Sequence, residues 1–195
     1  MPPDPEIFAL AQQVGERLRQ LRKSIAVAES CTGGLLGAAL TDVPGSSAYF
    51  LGGVISYADQ VKRDELGVSD ATLRRYGAVS EETAAAMASG IRERLHADIG
   101  VSITGVAGPD AEGAKPVGLT FIGIATPTLP SPRGGGKQDP RSPGGGGKSM
   151  EPSSGGAGEM LTSTTHRFQW TGDRWDNRRR SVIAALELLV RAPEL

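Results

Sequence analysis

Ser30 is the residue of this sequence whose surroundings are best suited to chemistry. It follows a short apolar segment, Ser24–Glu29, and precedes Cys31, Thr32 and two glycines. A serine between the end of a strand and the start of a helix lies where open α/β sheets bind ligands. Backbone N–H groups and the helix dipole favour negative charge there. The pattern therefore predicts a nucleophile, although a helix cap in a tight turn explains it equally well.

A serine nucleophile needs a base, and the two histidines are poor candidates. His96 lies near the end of a predicted helix, and His166 alternates with polar residues on a late strand. Neither has an evident acidic partner, so a Ser–His–Asp triad is weakly supported. Two histidines also give no metal cluster, and we expect neither a metal nor a cofactor.

Lys62 is the alternative base. It closes the segment Ser56–Lys62 (SYADQVK), which follows the second predicted strand. If the first two strands are neighbours, Tyr57 and Lys62 emerge at the same sheet edge as Ser30. A free lysine, with a pKa of ~10.4, is a poor base, but desolvation can lower a lysine pKa to roughly 7–8. A solvated helix residue is the other interpretation of Lys62.

Three further patterns are less specific indicators of function. The loop Thr104–Pro109 (TGVAGP) could hold an oxyanion or a phosphate with its N–H groups, although many turns look similar. Arg174 and Arg178–Arg180 form a basic cluster that is either a solvated face or an anion site. Gly146–Ser149 (GGKS) looks like the end of a phosphate-binding P-loop, but it lacks the first glycine and the strand-to-helix context. We reject that interpretation.

Composition restricts the class of protein. The 195 residues carry a net charge of −1 and a single cysteine. The charge gives no general attraction to nucleic acid or membranes, and one cysteine excludes an internal disulfide framework. The first residues lack the basic and apolar regions of a signal peptide, and no apolar run reaches the ~20 residues that span a bilayer. We expect a cytoplasmic protein.

Hydrophobic periodicity predicts alternating helices and strands. The predicted helices are 5–22, 35–41, 58–66, 80–95 and 178–190, and the predicted strands are 24–29, 52–57, 99–104, 117–125 and 164–170. The alternation indicates an α/β fold with three layers, α/β/α, in which helices flank both faces of a mostly parallel sheet. No helix is evident between the last two strands, so we expect a mixed sheet.

One segment differs from the rest in composition. Residues 127–158 contain 10 of the 27 glycines and 6 of the 13 prolines. Such a segment buries too little apolar surface to order itself. We expect one domain, 1–195, with a flexible insertion at about 127–161.

Several segments together resemble the C-terminal domain family of the competence/damage-inducible protein CinA. The matching segments, in the family's order, are Ala28–Gly34, Pro44–Val68, Gly77–Ala88, Ser102–Ala111, Lys115–Gly118 and Gly172–Arg179. They cover nearly all of the chain outside the predicted insertion. The match is therefore far more specific than any single motif above.

The resemblance implies hydrolysis of the carboxamide of nicotinamide mononucleotide (NMN) to nicotinate mononucleotide and ammonia. By position, Ser30 would be the nucleophile, Lys62 the general base and Tyr57 an assisting group. The implied oxyanion and amide site comprises Thr32, Gly33, Thr104 and Gly105. The candidates for substrate binding, including its phosphate, are Gly45, Ser46, Ala107, Gly108 and Arg178.

The resemblance also leaves alternatives. Family members commonly form homo-oligomers, so a neighbouring subunit could complete the site. Many carry an N-terminal domain for which we expect no counterpart here. Asp110 and Glu112 are more acidic than the expected loop and would weaken phosphate binding. A Ser–Lys amidase for another small amide and a silent nucleotide-binding module therefore remain alternatives.

Overall fold

The structure, a computed structural model, describes residues 3–127 and 161–192. The predicted insertion lies outside the described residues, apart from its end residues Pro127 and Leu161. Its flexibility therefore stays a prediction.

Helices and strands alternate along the first part of the chain, as predicted. In chain order they are α1 Pro5–Leu21, β1 Ile25–Glu29, α2 Leu35–Thr41, a 3₁₀ turn Ser46–Ala48, β2 Phe50–Ile55, α3 Asp59–Leu66, α4 Asp70–Tyr76, α5 Glu81–Leu95, β3 Ile99–Gly105, β4 Leu119–Pro127, β5 Leu161–Gln169 and α6 Arg174–Arg191.

Capping residues fix the ends of the helices. Ser80 precedes α5, and its hydroxyl accepts a hydrogen bond from the N–H of Thr83, as the sequence predicts. The prediction for α6 was wrong by one turn, because Asp173 caps the helix and accepts from the N–H of Asp176. The short helix α4 was not predicted.

The strands form one mixed sheet of order β2-β1-β3-β4-β5. β1 pairs in parallel with both β2 and β3, whereas β4 pairs antiparallel with β3 and with β5. The prediction of a mixed sheet is therefore confirmed. Because β1 and β2 are neighbours, with Glu29 beside Ile55, their carboxyl ends meet at the same edge.

Helices cover both faces of the sheet, which confirms the three-layer architecture. On one face α1, α2 and α6 enclose a core that includes Leu18, Val27 and Leu186. On the other face α3, α4 and α5 pack over Ala26 and Ala28 of β1. β1, at the centre, is buried along its whole length, which explains its continuous apolar sequence.

Helix α5 lies unusually close to the sheet. A Cβ atom at Gly123 of β4 would lie 2.6 Å from the carbonyl oxygen of Ala84 on α5, so only glycine fits there. The hydroxyl of Ser102 on β3 donates to the same carbonyl at 2.6 Å. This packing holds the start of α5, and the segment Ala78–Val79 before it, against the end of β3.

Within residues 3–127 and 161–192, none of the helices has the length and apolar character needed to cross a membrane.

Candidate active site

A cavity of about 350 Å³ lies at the edge where β1, β2 and β3 end. We call it the Ser30 cavity. Ser30 follows β1, Tyr57 follows β2, and Gly105 ends β3. The full lining is Ser30, Cys31, Tyr57, Asp59, Lys62, Ala78, Val79, Gly105, Val106, Ala107, Gly108, Asp110, Glu112 and Arg174. The structure thus brings the predicted nucleophile, base and assisting tyrosine to one cavity.

Ser30 stands in a tight turn that joins β1 to α2. Its N–H donates to the carbonyl of Ile103 on β3 at 2.9 Å, and its own carbonyl accepts from the N–H of Gly33 at 3.1 Å. Gly33 and Gly34 both have positive φ angles, 62° and 99°, which favour glycine. These backbone contacts hold Ser30 at the end of β1.

The carboxylate of Glu29 closes the amino end of α2. It accepts hydrogen bonds from the N–H groups of Gly34, Leu36 and Gly37 at 2.8–3.2 Å, and Glu29 is only 1% exposed. The expectation that free N–H groups of this helix face a ligand was therefore wrong. The chain's own carboxylate occupies them and neutralises the positive end of the helix.

Lys62 is buried and not solvated. Its residue exposure is 1%, although it carries a charged group. Nζ donates to the carbonyl of Ser56 at 2.8 Å and lies 3.4 Å from both the carbonyl of Tyr57 and Oδ1 of Asp59. These acceptors hold the amine at the wall of the Ser30 cavity.

Ser30 and Lys62 share this cavity without a direct hydrogen bond. Among the described residues, Nζ of Lys62 donates only to Ser56, Tyr57 and Asp59. The direct hydrogen bond between Oγ and Nζ that a serine and its general base would make is therefore not formed in this structure. Catalytic hydrogen bonds are often long in unliganded sites and shorten when substrate binds.

Cys31, the residue beside Ser30, is a poor nucleophile. Burial raises the pKa of its thiol to about 12, so the reactive thiolate is scarce at neutral pH. The side chain belongs to the core beneath α2 and α6 and is 7% exposed. Cys31 thus packs beneath the loop, although it also touches the cavity.

Arg174 is a cavity residue that the sequence did not single out. Its guanidinium donates to the carbonyl of Gly108 at 2.5 Å and to the hydroxyl of Tyr57 at 3.2 Å. It thus connects the loops after β2 and β3 across the cavity. The cluster of arginines in the sequence was the only signal, and it did not distinguish Arg174 from its neighbours.

Arg178 lies one turn further along α6 and outside the cavity lining. Its Nη2 donates to the carbonyl of Thr32 at 2.8 Å, and its guanidinium lies 4.8 Å from the ring centre of Trp175. Thr32 is fully buried. Arg178, Thr32 and Gly33 therefore support the Ser30 turn from behind, whereas the sequence suggested direct contact with substrate.

The predicted residues of the third loop are divided between the cavity and the core. Gly105, Ala107 and Gly108 line the cavity. Thr104 is fully buried, and its hydroxyl donates to the carbonyl of Ala78 at 2.7 Å. In the described part of the chain, the N–H groups of Ala107 and Gly108 donate to no protein acceptor.

Gly45 and Ser46 lie near the start of β2, at the opposite end of the parallel strands from the Ser30 cavity. They form the 3₁₀ turn that precedes β2, where the parallel strands begin, and Gly45 faces Arg19 of α1. They do not line the Ser30 cavity of their own chain.

Acidic side chains also reach the cavity. Asp59, Asp110 and Glu112 belong to its lining, together with the cations Lys62 and Arg174. The sequence drew attention to Asp110 and Glu112, but Asp59 was missed because it reads as an ordinary first-turn residue of α3. The cavity therefore carries charges of both signs.

The parallel strand ends, with a buried amine and a serine hydroxyl lining one cavity, define an α/β protein with a candidate Ser–Lys site. A family model described as the CinA C-terminal domain matches residues 7–131. The chain belongs to the CinA C-terminal domain family.

Curated relatives and solved structures agree with this assignment. The chain is 56% identical over 119 residues to a CinA-like protein of Acaryochloris marina, covering 60% of this chain and 28% of the relative. It is 54% identical over 119 residues to a CinA-like protein of Gloeothece citriformis, covering 60% of this chain and 28% of the relative. The matched part thus spans less than a third of these curated relatives.

Among solved structures, the competence/damage inducible protein CihA of Agrobacterium tumefaciens is 33% identical, with a TM-score of 0.77. That match covers 97% of this chain and 98% of the other. The competence damage-inducible protein A (ComA) of Klebsiella pneumoniae subsp. pneumoniae is 28% identical, with a TM-score of 0.76 and coverage of 95% and 96%.

Proposed function

We propose that the chain is an amidase that hydrolyses NMN to nicotinate mononucleotide and ammonia, with Ser30 as nucleophile and Lys62 as general base. The observation that carries the proposal is that a fully buried lysine and a turn-held serine line the same cavity. A cytoplasmic location belongs to the same proposal.

In the first half-reaction, Oγ of Ser30 attacks the carboxamide carbon and its proton passes to Nζ of Lys62. The C–N bond then breaks, and the nitrogen takes the proton from Lys62 and leaves as ammonia. In the second half-reaction, a water molecule gives a proton to Lys62 and attacks the ester. Ser30 recovers the proton as the product departs as a carboxylic acid, which then passes its own proton to the released ammonia, giving carboxylate and ammonium. Every proton is returned, and no co-reactant other than water is consumed.

The tetrahedral intermediate needs hydrogen-bond donors for its oxyanion. The loop after β3 offers the N–H groups of Ala107 and Gly108, which are unpaired in the described part of the chain. Fixed backbone donors are effective because they need no reorganisation as the charge develops. Arg174 and Tyr57, joined by a hydrogen bond at 3.2 Å, would orient the substrate at the cavity mouth.

The acidic residues that line the cavity favour a second candidate function, a Ser–Lys amidase that acts on a different small amide. Asp110 and Glu112 repel a phosphate and would favour an amide that carries no anionic group. NMN has a cationic pyridinium ring as well as its phosphate, so acidic groups and Arg174 can both find a partner on it. A nucleotide-binding module without catalysis is the third alternative.

Ammonia release from NMN by wild type and by Ser30→Ala tests the proposal. We expect the substitution to lower kcat by about 10³-fold or more, because removing a nucleophile removes the covalent route. Cys31→Ala is the matched control at the adjacent residue, and it should keep most of the activity. Nicotinamide, which lacks the ribose phosphate, serves as the alternative substrate.

Turnover of nicotinamide but not of NMN would support the second candidate. Binding of NMN without hydrolysis of any amide would support the silent module. Undiminished activity in Ser30→Ala would overturn the mechanism itself.

A further inference from the structure

Three acceptors take up the whole hydrogen-bonding capacity of the Lys62 amine. They are the carbonyls of Ser56 and Tyr57 and the carboxylate of Asp59, which lie 2.8–3.4 Å from Nζ. A lysine amine has at most three N–H groups, so this arrangement leaves none for Ser30. The hydroxyl of Ser30, for its part, has no hydrogen-bond partner within residues 3–127 and 161–192.

Only one of these three acceptors can move without moving the backbone. Ser56 is fully buried, and its N–H donates to the carbonyl of Glu29 on β1 at 2.7 Å. The carbonyl of Tyr57 follows in the same backbone. The acceptor of Asp59, by contrast, belongs to a side chain that is 53% exposed and lines the Ser30 cavity. Release of the amine therefore depends on Asp59.

The carboxylate of Asp59 makes no other hydrogen bond or ion pair in the described part of the chain. Asp59 is the first residue of α3, but Ala58 holds the N-cap position and no side chain caps the helix. The only charged partner of Asp59 there is Lys62, at 3.4 Å. An exposed ion pair contributes little to stability, and an acid in a first helical turn contributes modestly. The fold therefore has little need of this carboxylate.

We infer that Asp59 is a positioning residue, which keeps the amine of Lys62 turned away from Ser30 until a cationic substrate ring draws its carboxylate off. The inference rests on the proposed amidase function. A positive ring in the Ser30 cavity offers Asp59 a second partner of opposite charge, and a ligand shifts an arrangement only through such a difference in interaction. Once released, Nζ can turn to Oγ of Ser30. The site therefore favours amides that carry a cationic ring over uncharged amides.

Labelling of Ser30 by phenylmethanesulfonyl fluoride, an uncharged reagent, tests the role of Asp59 without any amide substrate. Oγ of Ser30 displaces fluoride from the sulfonyl group, and mass spectrometry of the full chain measures the rate. Asp59→Ala should be labelled about two- to fivefold faster than wild type, the scale of an exposed ion pair, because its amine is released. A purely structural role would slow the labelling or leave it unchanged.

Two further variants make this result specific. Asp64→Ala removes another exposed carboxylate of α3, which lies outside the cavity lining, and it should be labelled at the wild-type rate. Asp59→Ala/Lys62→Met also removes the amine, and it should lose the gain while keeping its circular dichroism spectrum. An Asp59→Ala variant without a gain, an equal gain in Asp64→Ala, or a gain that persists in the double variant would each overturn the inference.

The preference for a charged ring is tested with NMN and its reduced form, which has the same carboxamide and ribose phosphate but an uncharged dihydropyridine ring. The ratio of kcat for NMN to kcat for reduced NMN should be about two- to fivefold lower in Asp59→Ala than in wild type. The intrinsic difference in reactivity between the two amides cancels in that comparison. An unchanged ratio would overturn the inference. If NMN released no ammonia, the proposed function would fail, whereas the labelling rates would still decide the role of Asp59.

Discussion

The Ser30 turn rests on the carboxylate of Glu29, a residue that touches no substrate. Three backbone N–H groups converge on it, and hydrogen bonds to a charged group are about twice as strong as neutral ones. At the scale of single residues, Glu29 fixes the start of α2 and with it the place of Ser30.

Replacing Glu29 by Gln should therefore destabilise the fold. The amide keeps one acceptor oxygen but brings an NH₂ group against backbone donors, leaving buried groups unpaired. We expect a loss of about 2–3 kcal/mol in the free energy of unfolding, measured by urea denaturation. Glu112→Gln, an exposed cavity residue, is the control and should leave the midpoint unchanged. Equal midpoints for both variants would contradict the role given to Glu29.

Asp110 and Glu112 should set the affinity for an anionic substrate. NMN has a net negative charge, so the variant Asp110→Asn/Glu112→Gln should lower KM for NMN by about two- to fivefold, the scale of exposed charges. Steady-state kinetics at low and high salt would measure the effect, which screening should reduce. A KM that rises in the variant would instead place the two acids against the cationic ring.

Single residues were predicted unevenly from the sequence. Ser30, Tyr57 and Lys62 could be placed together because residues that follow neighbouring parallel strands share an edge. Glu29 was hidden because it reads as the last residue of a buried strand. Arg174 and Arg178 were indistinguishable because the helix start was placed one turn too late, so the direction of each side chain could not be assigned.

At the scale of elements, the ends of β4 and β5 that flank the insertion lie at the opposite end of the sheet from the Ser30 cavity. Pro127, the last residue of β4, pairs with Leu161, the first residue of β5. This pair lies beside the start of β3, whereas the Ser30 cavity lies where β3 ends. The two strands are thus joined in register by their own hydrogen bonds up to the residues that flank the segment.

Deleting residues 130–158 should leave fold and activity nearly intact. The deletion leaves Thr128, Leu129, Glu159 and Met160 between the strands, a length that suits hairpin loops of 2–5 residues. Thermal unfolding and ammonia release should match wild type. An insoluble or inactive deletion variant would show that the segment contributes to the fold or to the site.

Helix α4 shows where reasoning about elements failed. Its seven residues bury only Leu73, so the sequence has no apolar periodicity to recognise. Short helices of this kind depend on caps and tertiary contacts, and here Ser69 caps the helix. The longer helices α1 and α5 bury several residues on one face and were predicted closely.

At the scale of the whole molecule, the layered α/β architecture followed from the alternation of elements. The order of the strands did not, since periodicity says which face a strand buries but not which strand it pairs with. The placement of Gly45 and Ser46 shows the consequence. The family resemblance assigned them to substrate binding. They precede β2, however, and so lie at the end of the parallel strands that is remote from Ser30.

The central position of β1 has a consequence for how the site adapts. β1 lies between β2 and β3 and is buried along its whole length, so the strand that carries Ser30 can move only if both neighbours move with it. Adjustment to a substrate therefore falls to the loops that follow β2 and β3, while the serine keeps its place.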